Sequence, residues 1–481
     1  MPPQKKERGF LLLRVFTFSV THEPELWSRK DRGSSFPRVT APQVAQARPR
    51  GAALRRPAAG ACAVAWATLG PEATMSVPLP ATLHRGEPSS GALVALGLAG
   101  FCAFLNVYAA QPLLPLLSAT FGASKAATSL TVSAPNLAVA LAAPLVGAWS
   151  ARFPLHRVIA IALAAMVIPT LLAATAGGLP TLVAWRFAQG LAVPGVYAVG
   201  VTYAASVWPP ASLGRATAAL VTGNVLGGFC GRLVAGLVAE ALGWRQAFLA
   251  LGLLTALGAA ITWRLLPLAN RADTEASSPG ESLVGVVQEA RLVASFAVGF
   301  GVLFTQVATF TYVTYHLAEP RYGLGSAGLS GVFTVYLVGA AVTPVAGRWT
   351  GRLGPRKVLA LSLVAGLAGT ALTLAPSLWA IILGLALSCS ASFVNQAAAT
   401  SYLPGAAGAA LRGMASGVYI ACYYLGGAVG GVLPASAWAV GGWPACVALV
   451  ASAQLVTLAL ALRYWSPTLS GNSPSPIVGT S

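Results

Sequence analysis

The sequence predicts an all-α membrane protein, with twelve transmembrane helices arranged as two six-helix bundles related by a parallel repeat. Three observations predict it. Charge is scarce, apolar runs of membrane length follow one another, and a sequence pattern returns at an offset of 199 or 200 residues.

The chain has 481 residues, of which 56% are hydrophobic and 9% charged. A soluble domain carries about 25% charged residues, so this chain cannot cover a water-facing surface and lipid is its expected solvent. The net charge of +18 would suit a nucleic-acid partner, but its distribution excludes one. Residues 1–74 hold twelve Lys and Arg against five acids, and residues 75–481 hold eighteen against seven, mostly in short loops between apolar runs. That is the pattern of membrane topology rather than a phosphate-binding stripe. The six cysteines form no CxxC pair and read as small apolar packing residues. His22, His84, His156 and His316 are dispersed, carboxylate pairs are missing, and no Walker-type loop occurs. An ATP-driven pump within this chain is excluded, and neither a cofactor nor a metal is expected.

Residues 1–74 stand apart. They mix Arg, Pro and Ala with scattered acids, as in "QARPRGAALRRPAAG", and hold no run of membrane length. Five acids and the lack of a clean apolar core argue against a cleavable leader. Met75 opens the polar stretch "MSVPLPATLHRGEPSSG". The expectation is that Met75 initiates the chain and that residues 1–74 are a mis-assigned start or a disordered extension.

After a polar N-terminal segment, 75–91, twelve helices are predicted. They cover 92–117, 127–149, 157–176, 180–204, 215–239, 244–266, 289–318, 326–348, 356–375, 377–402, 411–435 and 442–464. Each approaches the ~20 apolar residues that cross ~30 Å of hydrocarbon at 1.5 Å per residue. The longest polar connection, "LANRADTEASSPGESL", falls in the linker 267–288 and separates a bundle over 92–266 from one over 289–464. A tail, 465–481, follows.

With the start placed inside, thirteen basic residues fall on inward segments, from Arg85 and Arg152 to Arg412 and Arg463, and three fall outward, Lys125, Arg245 and Arg321. Retention of Lys and Arg on the cytoplasmic side therefore predicts both termini inside. The halves echo each other. "GAWSARFPLHRV" (147–158) returns as "GRWTGRLGPRKV" (347–358), "LGGFCG" (226–231) as "LGGAVG" (425–430), and "LGWRQAF" (242–248) as "GGWPACV" (441–447). Six crossings per copy is an even number, so the copies run parallel about an axis along the membrane normal.

These loops and repeats resemble the major facilitator superfamily, in its bacterial branch of drug and sugar exporters, over residues 90–465. The family's loop signature is Gly-x-Leu-Ala-Asp-Arg-x-Gly-Arg-Lys. Gly147 and Arg152 match it, followed by the basic pair His156 and Arg157; Gly347, Arg352, Gly354, Arg356 and Lys357 match it in the second copy. Ala151 and Gly351 stand where the family has its Asp, which there helps latch neighbouring helix ends. The span-four signature Arg-x-x-Gln-Gly is present as Arg186, Gln189 and Gly190, and the span-five glycine motif as "GNVLGGFCGR", with Gly228 where the family often has proline. The resemblance implies transport by alternating access and proton-coupled export.

Polar residues inside the apolar runs are the candidates for the transport path. Arg186, Gln189, Val193 and Tyr197 share a helical face that is expected to line a cavity. Arg232 follows Arg215 by 17 residues, which places it ~25 Å into the membrane at a depth similar to Arg186. Tyr108 and Gln111 share a face with Phe104, while Asn106 points elsewhere. Gln306, Thr309 and His316 share a face in span seven beside Tyr312 and Tyr315. In span ten, Ser388, Ser392, Asn395 and Tyr402 share one beside Gln396. Each such group serves a cavity or an interhelical hydrogen bond worth about 1 kcal/mol. Glycines at 223, 227, 228 and 231 favour close helix approach. Within 92–266 the single acid is Glu240, at the outer end of span five; it and His316 are the candidates for carrying a proton. Gly147, Arg152, Arg157, Gly347, Arg352, Arg356 and Lys357 form the candidate gating loops, whose arginines can reach the carbonyls at a neighbouring helix C-terminus.

Two arginines and almost no buried carboxylate favour a neutral or anionic, amphipathic small solute over a lipophilic cation. The expected protein is a monomeric secondary transporter of the bacterial inner membrane, with the lipid bilayer and a small-molecule solute as its partners. A non-transporting membrane enzyme, or a scaffold or receptor on the same fold, is the alternative.

Overall fold

In the computed structural model the described residues are 87–150, 152–268 and 283–466. The expectations about residues 1–74 and most of the tail lie outside them. Twelve helices long and apolar enough to cross a membrane are present: α1 Ser90–Phe121, α2 Lys125–Val146, α3 Leu155–Ala173, α4 Leu179–Val207, α5 Pro210–Leu242, α6 Trp244–Leu265, α7 Ala290–Leu317, α8 Ser326–Leu353, α9 Pro355–Leu372, α10 Leu378–Gly408, α11 Leu411–Val432 and α12 Pro434–Tyr464. No strand occurs among the described residues. Sequence and structure differ at the start of α5, which begins at Pro210 because proline fits the first helical turn, where its missing N–H costs nothing. In α12 a proline-led segment from Pro434 is broken by non-helical backbone at Gly441 and Gly442, where the expected start of the span falls. A short helix, Leu283–Gln288, leads into α7.

Because each half has six helices, the starts of α1 and α7 and the ends of α6 and α12 share one side, here the terminal face. The opposite side is the far face.

The repeat is visible in the packing. In the first half a Cβ built on Gly227 or Gly231 would collide with the α1 carbonyl of Phe101 or Leu105; in the second half Gly426 and Gly430 meet the α7 carbonyls of Phe300 and Phe304. All four residues of each set are shifted by the repeat offset. Glycine here lets two backbones touch, which is how helices associate where lipid supplies no hydrophobic drive. The buried stripe of α6, Trp244, Ala247, Phe248, Leu251, Thr255 and Thr262, recurs in α12 as Trp443, Cys446, Val447, Val450, Gln454 and Ala461. Gly243 and Gly442 precede the two tryptophans in left-handed backbone, at φ 101° and 60°. At the terminal face the Tyr203 hydroxyl donates to the Pro267 carbonyl at 2.9 Å, and the repeat-equivalent Tyr402 accepts from the Ser466 N–H at 3.1 Å.

The repeated basic loops differ in detail. Gly354 turns the second at φ 82°, a conformation that glycine allows, whereas Pro154 with φ −58° turns the first. Arg356 donates from Nη2 to the Leu462 carbonyl at 2.5 Å, near the C-terminus of α12. Arg152 and Arg352, the repeated arginines for which such a helix-end contact was expected, are exposed, as are Arg157 and Lys357.

α1 is interrupted within its span. Regular helix runs from Ser90 to Val107, a 3₁₀ turn covers Gln111–Leu113, and helix resumes at Leu114–Phe121. Pro112 and Pro115 explain the break, since neither can donate to the carbonyl one turn earlier. The Gln111 N–H bonds instead to the Tyr108 carbonyl at 3.1 Å. Backbone carbonyls are thereby freed at a depth without water, and membranes tolerate that only where other protein groups satisfy them.

Candidate functional site

Arg186 satisfies them. Its Nη1 donates to the Asn106 carbonyl at 2.7 Å, its Nη2 to the Val107 carbonyl at 2.6 Å, and its Nε to the Thr131 carbonyl of α2 at 3.0 Å. Nη1 also reaches Gln189 Oε1 at 2.5 Å. Gln189 in turn donates to Thr170, whose hydroxyl lies 3.3 Å from Asn106 Oδ1, and Asn106 donates to Thr255 at 2.9 Å. The structure thus corrects the expectation that Arg186 and Gln189 face a cavity. They form a polar network inside the first half, and Arg186 is fully buried. Placing a charge at the bilayer centre costs about 2.5–3.5 kcal/mol on insertion scales. Hydrogen bonds to a charged group return about 1.5–3 kcal/mol each, so four of them hold the guanidinium there. Asn106 points away from Tyr108 and Gln111, as its helical position requires.

Arg232 is placed differently. It lies on α5 at the seam between the halves and is 2% exposed. Its Nε donates to Gln111 Oε1 at 2.8 Å and its Nη1 to the Gly228 carbonyl at 2.6 Å. Nη2 reaches the Tyr336 hydroxyl of α8, in the other half, at 3.3 Å. The guanidinium carbon stands 4.3 Å from the centre of the Tyr336 ring, 4.8 Å from that of Tyr108 and 5.0 Å from that of Phe333. Three of its five N–H groups are engaged. No ion pair reaches it among the described residues.

Around this arginine the structure gathers several of the candidates. Tyr108 donates to Asn136 Oδ1 of α2 at 3.0 Å, Gln111 Nε2 donates to Thr311 of α7 at 3.2 Å, and Gln306 stands beside the Tyr336 hydroxyl. Tyr336, Phe333, Thr311 and Asn136 were not singled out from the sequence. Tyr336 carried one signal that could have found it, an aromatic hydroxyl in an otherwise apolar stretch of span eight.

Other candidates lie elsewhere. Tyr312 donates to the Gly431 carbonyl at 3.1 Å, within the second half. Asn395 accepts from Ser362 of α9, also within that half. Tyr197 meets Phe104 edge-on at 5.9 Å, and Gln396 is half-buried.

Toward the far face further contacts close the seam. The Ser330 hydroxyl of α8 donates to the Arg232 carbonyl at 2.8 Å, and the Ala327 N–H donates to the Glu240 carboxylate at 3.3 Å. Lys125 at the start of α2 places its ammonium 5.1 Å from the Trp438 ring centre and 5.6 Å from that of Tyr315. His316 stacks on Trp443 at 5.6 Å, and its Nδ1 lies 3.2 Å from Glu319. Both proton-carrying candidates therefore sit at the far end of the molecule, Glu240 on the seam itself.

The profile of the Major Facilitator Superfamily matches residues 96–342 and 314–477. The chain belongs to that superfamily. It is similar to the uncharacterized MFS-type transporter YybF of Bacillus subtilis, 29% identical over 363 residues that cover 75% of this chain and 90% of the relative. It is also similar to the inner membrane transport protein YnfM of Escherichia coli, 29% identical over 385 residues, 79% of this chain and 92% of the relative. Among solved structures, the nucleoside transporter NupG shares the fold with a TM-score of 0.65 at 15% identity, over 78% of this chain and 100% of that one. The superfamily membership and the twelve apolar helices make this a multi-pass membrane transporter and not an enzyme.

Proposed function

We propose that the chain is a secondary active transporter of the bacterial inner membrane that exports a small neutral or anionic, amphipathic solute by alternating access, in exchange for protons. Both termini lie in the cytoplasm in this reading, so the far face is external and the structure represents a state closed to the outside. The protein works as a monomer, since each chain carries both rocking halves.

The observation that carries the reading is Arg232. A cation held in the seam by residues of both halves, with rings and an amide around it and no acid paired to it among the described residues, suits a cargo that is not itself cationic. A positive solute would meet repulsion in a low-dielectric site, where two charges 4 Å apart interact by about 4 kcal/mol even at an effective dielectric constant of 20. Glu240 supplies a place for coupling. Its carboxylate accepts the Ala327 N–H across the seam, and a Cβ on Gly325 would meet both carboxylate oxygens at 2.7 Å. Protonation from outside removes the charge that favours this contact and loosens the outer seal.

Flux in proteoliposomes tests the reading. With the purified chain reconstituted and a panel of sugars, amino acids, organic anions and lipophilic cations supplied, an imposed pH gradient is expected to drive a neutral or anionic solute, and Glu240→Gln is expected to weaken the dependence on the gradient. Saturable flux of a cation that survives Arg232→Gln would overturn it.

A further inference from the structure

We infer that the seam around Arg232 is a subsite for the carboxylate of an aromatic monocarboxylate, an inference that rests on the transporter reading above and names its cargo class. Two guanidinium N–H groups of Arg232 have no partner among the described residues, although the side chain is 2% exposed. A buried cation without an anion is incomplete, because leaving water is costly for a charge unless an opposite charge and hydrogen bonds replace it. Gln111 and Tyr336 offer an amide and a hydroxyl, which are dipoles and not counter-charges. A carboxylate supplies the missing charge and matches the planar fork of the guanidinium with two parallel acceptors.

The number of charges follows from the neighbours. Arg186 is the other arginine of the spanning helices at this depth, and it is committed to the carbonyls of Asn106, Val107 and Thr131 inside the first half. One cation without a described counter-charge calls for one negative charge, so a dicarboxylate would bring a second charge that nothing described there neutralises.

The shape of the cargo follows from the walls. Behind Arg232 the Phe333 and Tyr336 rings continue into Phe310, 4.8 Å from Tyr336 between ring centres, and Phe393, 6.1 Å from it. Tyr108 closes the first-half side. Phe310 and Phe333 are each 1% exposed here, so cargo reaches these rings only when the halves part; a flat apolar body then meets them by edge and face contacts, whereas a sugar would leave its hydroxyls facing rings.

Titration calorimetry on the full-length purified chain tests this, with benzoate against its neutral isostere benzamide at mildly alkaline pH, where benzoate stays ionised. The wild type is expected to bind benzoate at least tenfold more tightly than benzamide. Arg232→Gln is expected to remove that preference while eluting as a monodisperse protein, and Arg232→Lys is expected to keep it in reduced form. Should the glutamine variant not fold, the lysine variant and Phe333→Leu decide. The first must still prefer benzoate, and the second must weaken benzoate and benzamide together. Equal binding of the two probes by the wild type, no binding of benzoate, or an unchanged preference in Arg232→Gln would overturn the inference. Gradient-driven flux of a neutral solute alongside indifference to benzoate sinks the subsite and leaves the transporter reading intact. Benzoate selectivity without flux of any solute does the reverse.

Discussion

Gln111 and Thr311 stand 200 positions apart in the sequence and touch in space, the Gln111 amide donating to the Thr311 hydroxyl at 3.2 Å. That separation is within one residue of the 199 that relates α1 to α7, where Phe101 and Leu105 answer Phe300 and Phe304, so the pair joins nearly equivalent points of the two halves. Equivalent points meet only at the axis that relates the copies. The contact therefore marks the line about which two parallel-related bundles face each other, and Arg232, bonded to the same Gln111, sits beside it.

Arg186 has a structural task, and removing it has a structural consequence. Arg186→Ala removes the donor to the Val107 carbonyl and to that of Thr131, which gets no N–H from Pro135 one turn on, while the Asn106 carbonyl keeps the Ala109 N–H at 3.3 Å; each orphaned buried group costs about 1–3 kcal/mol. A loss of about 3 kcal/mol or more is expected, read as a clear fall in the thermal midpoint of the purified protein. Arg186→Lys should recover part of it, since an ammonium keeps the charge but lacks the planar fork. An unchanged midpoint in Arg186→Ala would show that α1 does not depend on this side chain.

The twelve spans and their division into two copies were legible because hydropathy reports depth, and because "LGGFCG" and "LGGAVG" preserve the glycines that must touch a partner backbone. The interruption of α1 was also written in the sequence, at Pro112 and Pro115, although such prolines are common enough in membrane helices to be read as tolerated. What hydropathy does not report is azimuth. Arg186 and Arg232 lie at one depth, yet one turns into its own bundle and the other into the seam. That choice depends on which neighbour offers free carbonyls, and it exists only once α1 is broken. Tyr336 and Thr311 matter through partners in the opposite half, and a single helix gives no sign of those.

The duplicated glycines give a paired test. Gly231→Val and Gly430→Val each drive a branched side chain into a neighbouring backbone, at Leu105 and Phe304. Overpacking of this kind costs about 1–3 kcal/mol or more, and both variants are expected to lose most of their folded yield on size-exclusion chromatography. Gly417 has nothing within 4 Å of a built Cβ, so Gly417→Ala should accumulate like the wild type. Equal yields for all three would remove the close helix contacts from the account.

Arg152 and Arg352 are exposed here, on the terminal face, and the account has them engage when that face closes. Arg152→Ala and Arg352→Ala are expected to lower flux in proteoliposomes severalfold while membrane insertion and yield persist. Normal flux in both would leave these residues with a role in topology alone.

If the halves rock about the Gln111 seam, the far face, closed here, opens in turn. Thr120 and Pro320 are exposed at the far ends of α1 and α7, 200 positions apart, one in each half. Spin labels on Thr120→Cys and Pro320→Cys, in a background free of the native cysteines, report their separation by pulsed electron paramagnetic resonance. A short distance is expected at neutral pH, with a second, longer population that grows on acidification and in Glu240→Gln. A single distance that stays fixed under every condition in which the reconstituted protein carries solute would contradict the account.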